Sequence, residues 1–145
     1  MNDTRDPGAP ENHIESVEST GVISPAFIAQ FIGAVGDSDK PYLWRTVKEL
    51  HPADTADLLE HLPPDAFRKA IHLLGKELPA EAVAELSDTA RLEALHELTD
   101  NAVSAMIGHL DSDDASFLLS DLEEDRRARI LTKVSATDRA AIESA

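Results

Sequence analysis

Six histidines and 28 carboxylates are the groups in this 145-residue chain with the chemistry to hold an ion or move a proton. There is no cysteine, which excludes thiolate metal sites, disulfides and cysteine nucleophiles and is compatible with a reducing, intracellular setting. His13, His51, His61, His72, His96 and His109 never stand three or four residues apart, the spacing that would bring two rings onto one helical face. The chain has no HExxH, no glycine-rich phosphate loop and no GxSxG. Carboxylates alone do acid–base work only as a pocketed pair with separated pKa values. Nothing in the residue pattern demands such a pair, and we expect no enzyme.

The acids carry more information as a population. Against 13 basic residues they give a formal charge of −15 and a pI near 4.6. Between His51 and Ala145 stand 20 acids and nine bases. Acids in a first helical turn each stabilise the helix dipole by roughly 0.3–1 kcal/mol, which accounts for individual positions. The unbalanced total implies self-repulsion that a cation or a basic partner would relieve. A chain of this sign lacks the basic face that phosphates require, so nucleic acid is not an expected partner. Tyr42 and Trp44, with no basic residues interleaved, read as local packing rather than a base-stacking platform.

The elements that position these acids follow from an apolar repeat. Leu50, Leu62, Leu74, Leu86, Leu98, Leu110, Leu122 and Val134 recur at an interval of twelve. Three residues before each stand Val47, Leu59, Ile71, Val83, Leu95, Ile107, Leu119 and Leu131, and the residues four before each anchor, Thr46, Leu58, Ala70, Ala82, Ala94, Met106, Leu118 and Ile130, are mostly apolar as well. Offsets of three and four define one helical face. A single helix cannot carry the pattern, because twelve residues make about 3.3 turns and the stripe would swing by roughly a third of a revolution per repeat. Breakers and caps follow the anchors: His51-Pro52, Pro63-Pro64, Gly75, Ser87-Asp88, Thr99-Asp100, Asp111-Ser112, Glu123-Glu124 and Ser135. The expected fold is therefore all-α, a solenoid-like superhelix of short helices with a twelve-residue repeat. A compact irregular bundle shares the same neighbours and differs only in global curvature.

Ahead of the repeats, Ser24-Pro25 opens a helix carrying Phe27, Ile28, Phe31, Ile32 and Val35, which Gly36 closes. Met1 to about Gly21 is rich in Pro, Gly, Asp, Glu and Ser and reads as a mobile tail. This divides the chain into a tail, 1–21, and one helical domain, 22–145. No apolar run approaches the roughly 20 residues of a membrane span, and no signal-peptide pattern opens the chain, so it reads as soluble.

The segment LHPADTADLLEHLPPDAFRKAIHLL, Leu50 to Leu74, and the stretch HLDSDDASFLLSDL, His109 to Leu122, resemble the cytosolic N domain of the MgtE family of magnesium channels and transporters. The His-Pro-x-Asp start, the Leu-Leu-x-x-Leu-Pro-Pro centre and the second Leu-x-x-Asp-Asp-Ala copy carry the likeness, which runs from about Asp39 to the C-terminus. It implies a right-handed superhelix and a cytosolic regulatory domain on the inner side of the cell membrane. Complete members continue into paired cystathionine-β-synthase-type (CBS) domains and a transmembrane pore, and assemble as homodimers. The chain ends near the point where the family passes into its CBS region, which implies a piece of a longer protein joined to the membrane only through that pore.

The same resemblance implies a magnesium sensor, in which ions between the carboxylates of the N domain and those of the CBS domains hold the assembly compact and the pore closed. By ungapped alignment from His51-Pro52 the family's interface acids fall on Glu81 and Asp113. Asp114 is a third candidate that also has a capping position. Glu81 stands five residues before anchor Leu86 and Asp113 nine before anchor Leu122. At about 100° per residue both should face away from the stripe and be exposed. Some family members have a further acid four positions after the Asp113 site, where this chain has Phe117. The resemblance thus implies magnesium as a weak ligand, shared with the CBS domains. The alternative is a helical-repeat interaction scaffold without a metal role, similar to the armadillo-like modules of the flagellar motor switch.

Overall fold

Residues 23–144 are described by the structure, a computed structural model, and the expected tail Met1–Gly21 lies outside them. Among the described residues ten α-helices follow one another: α1 Pro25–Gly36, α2 Lys40–Glu49, α3 Pro52–Glu60, α4 Pro64–Leu74, α5 Ala80–Glu85, α6 Asp88–Glu97, α7 Asp100–Ile107, α8 Ser112–Leu119, α9 Glu124–Lys133 and α10 Ala136–Ser144. No extended strand occurs among the described residues. The chain is all-α, as the repeat demands.

The twelve-residue period survives in the helix starts. Helices begin at Pro52, Pro64, Asp88, Asp100, Ser112, Glu124 and Ala136, each a multiple of twelve from the next. The slot that should open near residue 76 is the exception. There a 3₁₀ turn, Gly75–Glu77, precedes a short α5 of six residues. Two residues cause it. Gly75 takes φ 50°, a left-handed value that favours glycine. Leu78, the residue before Pro79, is pushed to extended backbone, with φ −68° and ψ 124°. The helix therefore starts late, and Glu81 lies in its first turn.

Caps close the corners. Oxygen or nitrogen atoms of Ser24, His51, Thr99 and Asp111 each accept from a backbone N–H two or three residues on, at 3.0–3.1 Å. His51 thus serves as an N-cap through Nδ1, a use of the ring that excludes nothing but explains its position. At the end of α1, Gly36 is the last helical residue, yet the left-handed turn is taken by Ser38, at φ 55°.

The stripe is the core. Val47, Leu59, Ile71, Val83, Leu95, Ile107 and Leu119 are all buried, as are the anchors Leu62, Leu74, Leu86, Leu98 and Val134. Leu50, Leu110, Leu122 and Leu131 are half-buried and pack against that core. Helices this short do not persist alone, so tertiary burial supplies their stability. From α3 onward the main partners lie two elements away: α3 on α5, α4 on α6, α7 on α9 and α8 on α10. Tyr42 and Trp44 are packing residues as expected, although the contact of Trp44 is not local but reaches α4. The indole N–H donates to the Leu73 carbonyl at 3.1 Å, and Tyr42 lies 6.4 Å from the Phe31 ring.

Arginines, which the repeat does not announce, tie successive helices together. Arg126 on α9 donates to the carbonyls of Leu95 and Leu98 at 2.6 Å each and to Asp100 at 2.8 Å, closing the α6–α7 corner from outside. Arg91 on α6 is buried, donating to Asp88, Asp121 and the Leu86 carbonyl. Burying a guanidinium is tolerable because its donors meet two carboxylates and a carbonyl.

Candidate functional site

Glu81 is at the second position of α5, exposed, because the alternation that buries Ala80, Ala82 and Val83 leaves it outward. Asp113 and Asp114 are at the second and third positions of α8, both exposed, while Ala115, Leu118 and Leu119 point into the core. The geometric expectation that Glu81 and Asp113 face away from the stripe holds. Packing of α5 against α8 then gathers acids that are 30 or more residues apart in sequence.

The electrostatics of Asp114 record that gathering. Its carboxyl is held above the ordinary value chiefly by the charge of Asp111, then by desolvation, by Asp113, by a hydrogen bond that its protonated form donates to Asp111 and, least, by Glu81. Like charges close together disfavour the ionised form, the condition that a cation relieves. Capping is the work of Asp111, whose carboxylate accepts from the Asp114 N–H at 3.0 Å. Asp114 is the capped residue, so its side chain is left to the surface. Glu81 also borders a shallow hollow of about 280 Å³ with Lys48, Lys76, Glu77 and His109. Lys48 is engaged there by Glu77 at 2.6 Å, which holds the Glu77 carboxyl below its usual range.

Among the described residues no group of three or more His, Asp or Glu side chains converges as a ligand set for a metal ion. Glu81, Asp111, Asp113 and Asp114 are all exposed. The described histidines take no part in such a set. His61 Nδ1 lies 2.7 Å from the Asp57 carbonyl oxygen within its own helix.

A family model described as the MgtE intracellular N domain matches residues 50–145, about two thirds of the chain. The chain belongs to that family. No curated protein matches it. Membership places the chain with the intracellular domains of magnesium transporters, a transport rather than an enzyme family, and favours that reading over the scaffold. No helix among the described residues is long and apolar enough to cross a membrane.

Two features of this MgtE N domain escaped the reading of its sequence. Asp111, read there only as a cap, is the strongest influence on Asp114, and the Asp-x-x-Asp spacing of an N-cap and its third helical residue was the available signal. Phe117 is 46% exposed, and its ring lies over the buried Arg91 guanidinium at 4.4 Å. Only the fold brings those two together.

Proposed function

We propose that this domain senses intracellular magnesium on the cytoplasmic side of the membrane, its acids binding the ion jointly with carboxylates of CBS domains in the same or a paired subunit. The closed arrangement of the transporter is then favoured when magnesium is abundant. The observation that supports this reading is the match to the MgtE intracellular N domain, with Glu81, Asp113 and Asp114 exposed on two helices, α5 and α8, that pack on one another. Glu81, Asp113 and Asp114 are the residues that would hold the ion. Their exposure suits a hydrated magnesium ion shared between two surfaces, since Mg²⁺ gives up its waters reluctantly and commonly uses one or two carboxylates. Two acidic surfaces repel, and a divalent ion between them turns that repulsion into attraction. Binding only the closed arrangement, the ion shifts its population.

The test is the Glu81→Ala/Asp113→Ala double variant in the transporter that carries this domain. Both side chains lie outside the core, so folding should persist. Protease protection of the cytosolic region should require more magnesium, and the pore should stay open at concentrations that normally close it. An unchanged magnesium midpoint in a folded double variant would overturn the reading.

A further inference from the structure

Helices α2 and α4 lie side by side and run in the same direction. The Trp44 indole N–H donates to the Leu73 carbonyl at 3.1 Å and Lys48 pairs with Glu77 at 2.6 Å, two contacts with one offset of 29 residues. At the opposite end the Lys69 ammonium donates to the Gly36 carbonyl, just before α2 begins. Lys69, His72 and Lys76 are exposed and follow one another at three and four residues, a single face of α4 continued into the 3₁₀ turn. Arg45 and Lys48 are exposed at a spacing of three on α2 beside it.

This face is positive on a chain whose net charge is −15. Lys48 is paired with Glu77, and Arg68 with Asp65 and Glu93. Lys40, Arg45, Lys69 and Lys76 make no ion pair among the described residues, each being either exposed and open to a partner or held only by a carbonyl or a ring. The segment Met1–Gly21, which leads into α1 through Ile23, has the opposite sign, with Asp3, Asp6, Glu11, Glu15 and Glu18 against Arg5. Helix α1 packs on both α2 and α4, and its twelve residues span about 18 Å. The stretch from Glu15 to Ile23 reaches up to roughly 27 Å when extended, enough to cross that distance. We propose that Met1–Gly21 docks on the α2–α4 face of its own chain, its Glu11, Glu15 and Glu18 carboxylates against Arg45, Lys69 and Lys76.

Charge and tethering together select this occupant. One exposed ion pair contributes little, but several carboxylates on a single tether meet the bases at an effective concentration of about a millimolar. A second copy of the chain or an anionic membrane would have to approach against the repulsion of the whole acidic molecule. A segment already joined to α1 makes no such approach. Because the contact is made of exposed charges, salt weakens it.

The chain has no cysteine, so Ser16→Cys gives a single attachment point for a nitroxide on the full-length chain. Paramagnetic broadening of backbone amide signals should be strong along residues 45–48 and 69–76 and weak on α8. It should be lost in about 0.5 M salt, where the Debye length falls to roughly 4 Å. Lys69→Gln/Lys76→Gln, two exposed positions, and Glu11→Gln/Glu15→Gln/Glu18→Gln, which leaves every helix untouched, should each remove it. Broadening that survives both variants and salt, or that is equal on α8 and on the α2–α4 face, would overturn the proposal. Broadening that appears equally on an isotope-labelled chain mixed with a separate spin-labelled copy would assign the face to a second copy, and the proposal would fall. If the broadening were absent while phosphatidylserine vesicles bound the chain and lost it on Lys69→Gln/Lys76→Gln, the face would belong to an anionic membrane and the proposal would fall as well.

Discussion

Two aspartates at helix starts show how differently one residue type behaves on this surface. Asp100 is held below the ordinary carboxylate range by a hydrogen bond from Arg126 and then one from Arg129, at 2.8 and 3.0 Å. Its folded pKa lies below its unfolded one, so its stabilisation is present above the unfolded value and is lost as pH falls through the folded value. Asp114 has the opposite shift, caused first by Asp111. Its ionisation costs stability, a cost absent below the unfolded pKa and complete above the folded one. Asp100→Asn should therefore lower the melting temperature at pH 7 and Asp114→Asn should raise it slightly. Both differences should vanish as pH falls below the carboxylate range. Thermal unfolding followed by circular dichroism across pH checks both signs, and equal effects of the two variants would refute the assignment. The residue types were legible in sequence, but the partners were not. Asp100 meets arginines 26 and 29 residues later.

At the scale of elements, the twelve-residue rule succeeded because most helix starts have a local cause, that at Glu124 having neither a proline nor a side-chain cap. Prolines at 52 and 64 and caps at Ser87, Thr99, Asp111 and Ser135 act within three residues of themselves, so no tertiary information was needed. The rule failed at one slot, where Gly75 and Pro79 together replaced a helical start with a 3₁₀ turn. The stripe itself predicts energetics. Leu59→Ala and Leu119→Ala remove side chains that are 0% and 3% exposed and should each cost roughly 2–5 kcal/mol in urea unfolding. Exposed Glu85→Ala should change stability by less than about 0.5 kcal/mol. Arg126→Ala leaves the Leu95 and Leu98 carbonyls without their side-chain donor and should cost about 1–3 kcal/mol, a loss that Arg126→Lys only partly recovers because an ammonium cannot span the same fork. A mild Arg126→Ala would mean that water replaces the guanidinium fully at that corner.

For the whole molecule, packing of helices on their second neighbours from α3 onward gives the arrangement from which the expected superhelix would be wound. Its net charge of −15 is spread over a surface with exposed acids and no converged set of metal ligands among the described residues. Under the proposed ion bridge Glu81 and Asp113 would supply only part of a coordination shell, so calorimetry on this chain alone should show no micromolar magnesium site. A micromolar site would mean that the domain senses the ion unaided. What the sequence by itself determined is the part with short-range causes: the all-α class, the helix corners, the buried stripe and the outward direction of Glu81 and Asp113. Periodicity reports which face of a helix is apolar, and caps act within one turn. Only the tertiary structure decided which outward residues become neighbours, because the approach of α5 to α8 and of Arg91 to Phe117 depends on how whole helices stack. The crowding at Asp114 and the rigid support of Phe117 come from that stacking, since charge and ring contacts depend on distance in space and not along the chain.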